Sequence, residues 1–289
     1  MAFVLRYLGV LVLSPEVMAA INNSNNKYGY IKDCEDVRDK KRSFTCPLNI
    51  PAPGRWNLQS QFPAVYDQGK LGSCTSNAIA AVFEYTLIRE GLCDFQPSRL
   101  FHYYNERDME GTVLNDAGAQ IRDGIKTLFT LGICPERMWP YDITQYTTKP
   151  PPECYTEALF DRSVVYSRVD QTLQQLSAAI RNKFPVVFGF TVYESFESAE
   201  VASSGVMPMP KEGESVLGGH CVVMVGYDDA AQVATCRNSW GPTWGLGGYF
   251  TMPYEFLLNS DFCTDFWIIQ KVTESYIPKF GSSGVVCCD

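Results

Sequence analysis

Apolar and polar positions divide the chain into a helix-like first part and a strand-like second part. Between Ser73 and Glu90, residues Ile79, Val82, Phe83, Thr86 and Leu87 follow the i, i+3, i+4, i+7, i+8 spacing of one helix face. Ser73 stands where a hydroxyl caps a helix start, and Gly91 where a helix stops. Two more helices are predicted, from about Ser98 to Met109 and from Ala119 to Leu131, the second closed by Gly132. "TKPPPEC", ending at Cys154, then reads as a proline-rich crossing. Beyond it the character changes. One short helix, Gln171 to Lys183, is stopped by Pro185. The β-branched runs "VVFGFTVY", "CVVMVGYD", "VATCRNSW", "GYFTM" and "DFWIIQKV" read as strands parted by glycine-rich turns. Helices first and strands later predict an α+β fold of two lobes, one helical (about 73–160) and one a β-barrel-like antiparallel sheet (about 161–272).

Ahead of these lobes the pattern fades. Residues 1–56 read as a leader and 57–289 as the body. "INNSNNKYGY" is polar, "KDCEDVRDKKR" is charged and "CPLNIPAPG" is proline-rich, so an extended arm along the surface is expected. The first twenty residues hold an apolar stretch from Leu8 to Leu13 and small residues at Ala19 and Ala20, a partial signal-peptide pattern broken by Arg6 and Glu16. "NNS" at Asn22 fits a glycosylation acceptor. The sequence leaves the compartment open between secreted or endolysosomal and virion-associated.

Composition narrows the function. With 46% apolar and 19% charged residues the chain is globular. A net charge of −8 argues against a nucleic-acid partner, which needs a basic surface. No apolar run reaches the roughly 20 residues that span a bilayer. The eleven cysteines are an odd number, so at least one thiol stays free in a monomer. No CxxC occurs and there are only two histidines, so zinc-finger spacing is absent.

Those two histidines make the search for chemistry short. Cys74 opens the first helix, where unpaired N–H groups favour a thiolate. A base is then needed. His102 lies in the aromatic helix "LFHYYNERD" and reads as a packing residue. His220 lies in "LGGHCVVMVGYDD", beside glycines that let backbone and ligand approach. Asn238, in "RNSWG", can accept from the imidazole and fix its tautomer. Gln68, six residues before Cys74, can join the Cys74 backbone N–H in holding an oxyanion. Each residue alone has a plain reading: a buried cysteine, a turn asparagine. The four together, in this chain order, point to nucleophilic catalysis.

At these residues the chain resembles the papain-like (C1, cathepsin-like) cysteine peptidases. The resemblance lies in "DQGKLGSC", "GGHCVVMVGYDD" and "NSWGPTWGLGGYF" and runs from about Asn57 to Val272. It implies a papain-like two-lobe fold and a thiol protease acting on protein or peptide substrates, with no cofactor and no metal. Its catalytic residues would be Cys74, His220, Asn238 and Gln68. Trp240 would shield the Asn–His hydrogen bond from water. "DAG", with Ala117 and Gly118, resembles the strip whose backbone pairs with substrate, and Gly219 would border the same cleft. Two positions depart from the common pattern. Leu71 replaces a cysteine and Thr75 replaces a tryptophan. "KYGYIKDCEDVRD" resembles the leader of a divergent branch known from bacteria and large DNA viruses, which shares both changes.

An inactive peptide-binding or structural relative is the alternative, and the intact four residues speak against it. A thiol acyltransferase would use Asp in place of Asn238. The "GGH" also resembles cathepsin B, whose dipeptide-releasing action uses a histidine pair that this chain lacks, so an endopeptidase is expected. In the family a prosegment runs along the cleft opposite to substrate. The leader is therefore expected either to cover Cys74, with "FVLRYLGVLVL" as the plug, or to brace the β lobe away from the cleft.

Overall fold

The computed structural model describes residues 28–34, 36–44, 54–92 and 94–274. The apolar start, Asn22, the prolines before Gly54 and the tandem Cys287 and Cys288 lie outside the described residues.

In chain order the elements are β1 (Tyr30–Ile31), β2 (Arg55–Asn57), α1 (Cys74–Glu90), α2 (Arg99–Glu110), β3 (Ala119–Gln120), α3 (Ile121–Thr130), α4 (Pro152–Ala158) and β4 (Asp161–Arg168). These are followed by α5 (Leu173–Arg181), β5 (Val186–Tyr193), α6 (Ala199–Ser204), β6 (Val216–Asp228), β7 (Val233–Arg237), β8 (Tyr249–Pro253), α7 (Tyr254–Leu257) and β9 (Cys263–Glu274). A seven-stranded sheet runs β4-β9-β5-β6-β7-β8, with β2 joined to β6, and every pairing in it is antiparallel. A separate two-stranded sheet pairs β1 with β3 in parallel. Among the described residues no helix is long and apolar enough to cross a membrane.

α1 stops at Gly91, whose φ of 67° lets its N–H turn back to the Leu87 and Ile88 carbonyls. Its start is held differently from the expected hydroxyl cap. Ser73 makes no capping bond. Its hydroxyl meets the Tyr141 hydroxyl at 2.5 Å, and Asn77 Nδ2 donates to the Ser73 carbonyl at 2.9 Å. From Cys74 to Leu87 every residue of α1 is buried, the polar ones included. The helix lies between the sheet and the other helices, so it has no solvent face. Its polar groups are satisfied inside: Ser76 Oγ donates to the Arg99 carbonyl and Thr75 Oγ1 to Glu106.

Three local differences from the pattern-based expectation have simple causes. α3 begins at Ile121 because Ala119 and Gln120 are extended against β1. α4 grows out of the expected crossing because a proline at the first helical position needs no N–H partner. β4 has little periodicity of its own and is fixed by pairing with β9. Apolar packing is continuous from α1 into β5, β6 and β9, so the two lobes share one core. The cysteines at 34, 74, 134, 154, 221, 236 and 263 are free thiols, all but Cys34 buried.

Candidate active site

Cys74 is the first residue of α1, at the positive end of a seventeen-residue helix. The preceding loop is braced. Gly72 N–H donates to Asp116 Oδ1 at 3.0 Å, and Asp116 also accepts from the Tyr103 hydroxyl at 2.6 Å.

His220 sits in β6 on the facing lobe. Its Nε2 lies 2.8 Å from Asn238 Oδ1. An asparagine oxygen only accepts, so Nε2 carries the proton and Nδ1 keeps its lone pair. That Nδ1 is buried without a hydrogen-bond partner. Trp240 stacks on the imidazole, with ring centres 4.9 Å apart and planes 29° apart, and Phe190 meets its edge. Asn238 Oδ1 also accepts from Ser239 N–H at 2.8 Å.

Gln68 is fully buried. Its Oε1 accepts from Ser239 Oγ at 2.6 Å and its Nε2 donates to the Leu71 carbonyl at 3.0 Å. Its backbone N–H donates to the Ser239 carbonyl. Ser239 thus joins Gln68 on the helical side to Asn238 on the β side. Pattern reading missed Ser239 because it was seen only as a letter of the "NSWG" motif. Its neighbour relation to Asn238 was the available signal. His102, by contrast, is fully buried, with Nε2 at 2.8 Å from the Gly124 carbonyl.

The cleft beside Cys74 is filled by the arm. Gly29 lies against Gly72 and Gly118 so closely that a Cβ on Gly29 would fall 1.6 Å from the Gly72 carbonyl oxygen. A Cβ on Gly118, whose φ is 76°, would fall 2.1 Å from the Gly29 oxygen. The Gly29 carbonyl accepts from Ala119 N–H at 2.7 Å. Tyr28 packs edge-on against His220 and tilted on Trp240, and its hydroxyl donates to Glu197. Of the expected strip, Gly118 contributes close approach, Ala119 and Gln120 do the pairing, and Ala117 is exposed at the rim. Gly219 is brought under Tyr30, where a Cβ would stand 2.5 Å from the Tyr30 oxygen.

Beyond Tyr30 the arm is clasped by charge. Asp33 accepts from Arg168 at 2.7 Å and from Trp267 Nε1 at 3.0 Å. Asp39 pairs with Arg122 at 2.6 Å and Arg168 at 2.7 Å. Burial, then the Asp265 charge, pushes Asp33 up to about 6, whereas Arg122 and Arg168 hold Asp39 below its ordinary value.

Burial also shifts Cys74 and His220. It pushes the Cys74 thiol up to about 12, against the pull of the Cys221, Gly29 and Thr75 N–H groups. It pushes His220 down to about 4. In the covered state the pair is a neutral thiol and a neutral imidazole.

A cysteine at a helix start and an imidazole held by an amide, with its other nitrogen unpartnered, are groups that a thiol-dependent acyl hydrolase would use. The comparisons agree. Residues 51–259 match the family described as papain family cysteine protease. The chain belongs to that family and is a cysteine peptidase with the papain-like α+β fold. An uncharacterised peptidase C1-like protein of Acanthamoeba polyphaga mimivirus is 41% identical, over 90% of this chain and 92% of its own. The crystal structure of xylellain, a cysteine protease from Xylella fastidiosa, is 40% identical and matches with a TM-score of 0.78 over 85% of this chain and 96% of that one. These relatives, viral and bacterial, fall in the divergent branch that the leader resembles. A Trypanosoma congolense procathepsin B, 16% identical with a TM-score of 0.64, shares the fold.

Proposed function

We propose that the protein is a cysteine endopeptidase, with residues 57–289 as the catalytic domain and the leader, 1–56, holding it latent. Cys74 is the nucleophile and His220 Nδ1 its base. Asn238 orients the imidazole, and Trp240 keeps water from the bond between them. Gln68 Nε2 and the Cys74 backbone N–H receive the oxyanion. In the first step His220 takes the thiol proton, sulfur bonds the substrate carbonyl carbon, and negative charge moves to oxygen. Collapse breaks the C–N bond as the imidazolium gives its proton to the leaving amine. Water, deprotonated by His220, then hydrolyses the thioester and frees Cys74.

The observation that carries this reading is the hydrogen-bonded line from Gln68 through Ser239 and Asn238 to His220, ending on an unpartnered Nδ1. A non-catalytic relative has no use for such a line. The test is labelling of the chain carrying Gly29→Val, which lifts the arm from Cys74, with a peptidyl epoxide followed by peptide mapping. Modification at Cys74, absent from His220→Ala, is expected; labelling spread over other cysteines would refute the assignment.

Endo-cleavage follows from the histidine count. His102 is enclosed in the helical lobe and His220 is the base, so none remains to grip a substrate's terminal carboxylate. A long unstructured substrate is expected to give internal fragments, and release of C-terminal dipeptides alone would contradict this.

Latency rests on how the arm lies. Gly29 packs against Gly72 and Gly118, and its carbonyl accepts from Ala119 N–H, so the arm occupies the strip beside Cys74 where a substrate backbone would lie.

Ser239 supplies a further check. It holds the Gln68 amide with its nitrogen end toward the helix start. Ser239→Ala is expected to lower kcat about 10-fold with little change in KM, because a mis-set oxyanion donor weakens only the transition state. A change confined to KM would argue against this role.

A further inference from the structure

Tyr30 fills a pocket formed where two strands carry glycine. A Cβ on Gly189 of β5 would stand 1.9 Å from the ring Cζ, and one on Gly219 of β6 would stand 3.0 Å from Cδ1. A side chain at either position would close the space. The pocket floor is polar. The Tyr30 hydroxyl lies 2.6 Å from Thr264 Oγ1 and donates to Asp265 Oδ2 at 2.5 Å.

Asp265 reaches that floor by an irregularity in the sheet. Val187 pairs with Trp267 but Gly189 pairs with Thr264, so β9 carries one extra residue there. Such a bulge re-aims a side chain. Asp265 itself has a φ of 60°, a left-handed conformation uncommon outside glycine. Strained residues of this kind concentrate where a ligand is held.

The charges then say which side chain fits. Arg168 of β4 holds Asp265 Oδ1 at 2.9 Å and belongs to the body. The donors to Oδ2 are the Tyr30 hydroxyl and the Asp33 N–H at 2.8 Å, and both belong to the arm. When the arm leaves, the floor keeps its cation and loses its donors. A phenol restores a donor without adding charge. Phenylalanine or leucine leaves a buried carboxylate oxygen unserved, which is costly. Arginine or lysine brings a second cation beside Arg168.

Tyr28 marks the leaving-group side, against His220 and Trp240. Tyr30, paired to Ala119, is separated from Tyr28 by Gly29, which lies against the loop just before Cys74. We propose that the enzyme selects peptides with tyrosine on the acyl side of the cleaved bond, within two residues of it, in the pocket that Tyr30 occupies in the latent chain. The proposal rests on the reading of Cys74 as nucleophile and of the arm as its cover. The pocket walls and floor are the same whichever way a backbone runs past them.

The test uses the full chain carrying Gly29→Val, which lifts the arm from Cys74, together with Tyr30→Ala, which empties the pocket. Matched peptides place Tyr, Phe, Leu or Arg one or two residues before a single cleavable bond. Tyrosine is expected to exceed each of the others in kcat/KM by at least about 10-fold, since a site built around a hydroxyl discriminates against its absence. Adding Asp265→Ala is expected to bring the Tyr to Phe ratio near one. Adding Gly189→Ala is expected to lower cleavage of both aromatic peptides relative to one with alanine there. This second variant leaves the Arg168 ion pair in place, should Asp265→Ala fail to fold. Equal cleavage of Tyr and Phe peptides, or preference for Arg, by a chain that labels at Cys74 overturns the pocket assignment alone. A folded Gly29→Val, Tyr30→Ala chain that neither labels nor cleaves overturns the reading of Cys74 as the nucleophile under the arm, and this proposal with it.

Discussion

Cys74→Ala and His220→Ala are each expected to reduce peptide hydrolysis by about 10⁴-fold or more, with the fold retained. Both groups act in the same bond-making step: one supplies the electron pair, the other takes and returns the proton. The double variant is therefore expected to be no worse than either single one. Gln68→Ala removes one oxyanion donor and is expected to cost about 10²–10³-fold in kcat. Ranking matters here. A purely structural role for these residues would scatter losses with stability, whereas catalysis orders them by chemistry. Steady-state rates alongside thermal unfolding separate the two. Ordinary turnover by a folded Cys74→Ala chain would remove the mechanism.

Much of this site was legible because its chemistry is local in sequence. Cys74 declares itself by standing where a helix must begin, and Gly91 by standing where it must end. His220 was reached by elimination, and Asn238 by its ability to accept from an imidazole. What stayed hidden depends on distance along the chain. Burial of α1 on every side from Cys74 to Leu87 could not be read from its apolar face, because its polar neighbours find partners such as Glu106 and Arg99 in α2. Ser239 acts across to Gln68, 171 positions away. The arm is the clearest case. Its apolar start attracted the plug assignment and lies outside the described residues, while the segment in the cleft is "YGYI" within a polar stretch. No apolar periodicity marks it, and the sequence flagged it only through the likeness of "KYGYIKDCEDVRD" to a leader. Its fit depends on glycines at 72, 118, 189 and 219, and on Asp265, 235 positions from Tyr30. In hindsight a second signal was a glycine between two tyrosines, the sole residue that passes between Gly72 and Gly118.

That glycine gives the second large effect. Gly29→Val is expected to raise kcat/KM of the full chain by an order of magnitude or more. Any side chain at Gly29 must enter the Gly72 backbone, which cannot yield without moving the start of α1. The arm, a short extended segment, gives way before the start of α1, although Tyr30 in its pocket and the largely buried clasp of Asp33 and Asp39 on Arg122 and Arg168 still hold its far end. Asp33→Ala weakens that clasp from the other end and is expected to act in the same direction, less strongly. Thiol chemistry gives a readout independent of any substrate. Under the arm the Cys74 thiol is held up at about 12, so near pH 7 almost none is thiolate and iodoacetamide is expected to react slowly. In Gly29→Val, water reaches the sulfur and the helix start again favours the anion, so alkylation at Cys74 is expected to speed up by about 10-fold or more. A chain beginning at Pro53 is expected to match this variant in both measurements, and a peptide spanning residues 28–44, added back, to suppress both. If Gly29→Val and the shortened chain are folded yet no faster than the full chain in cleavage or alkylation, the arm is a brace and the cleft opens by another route.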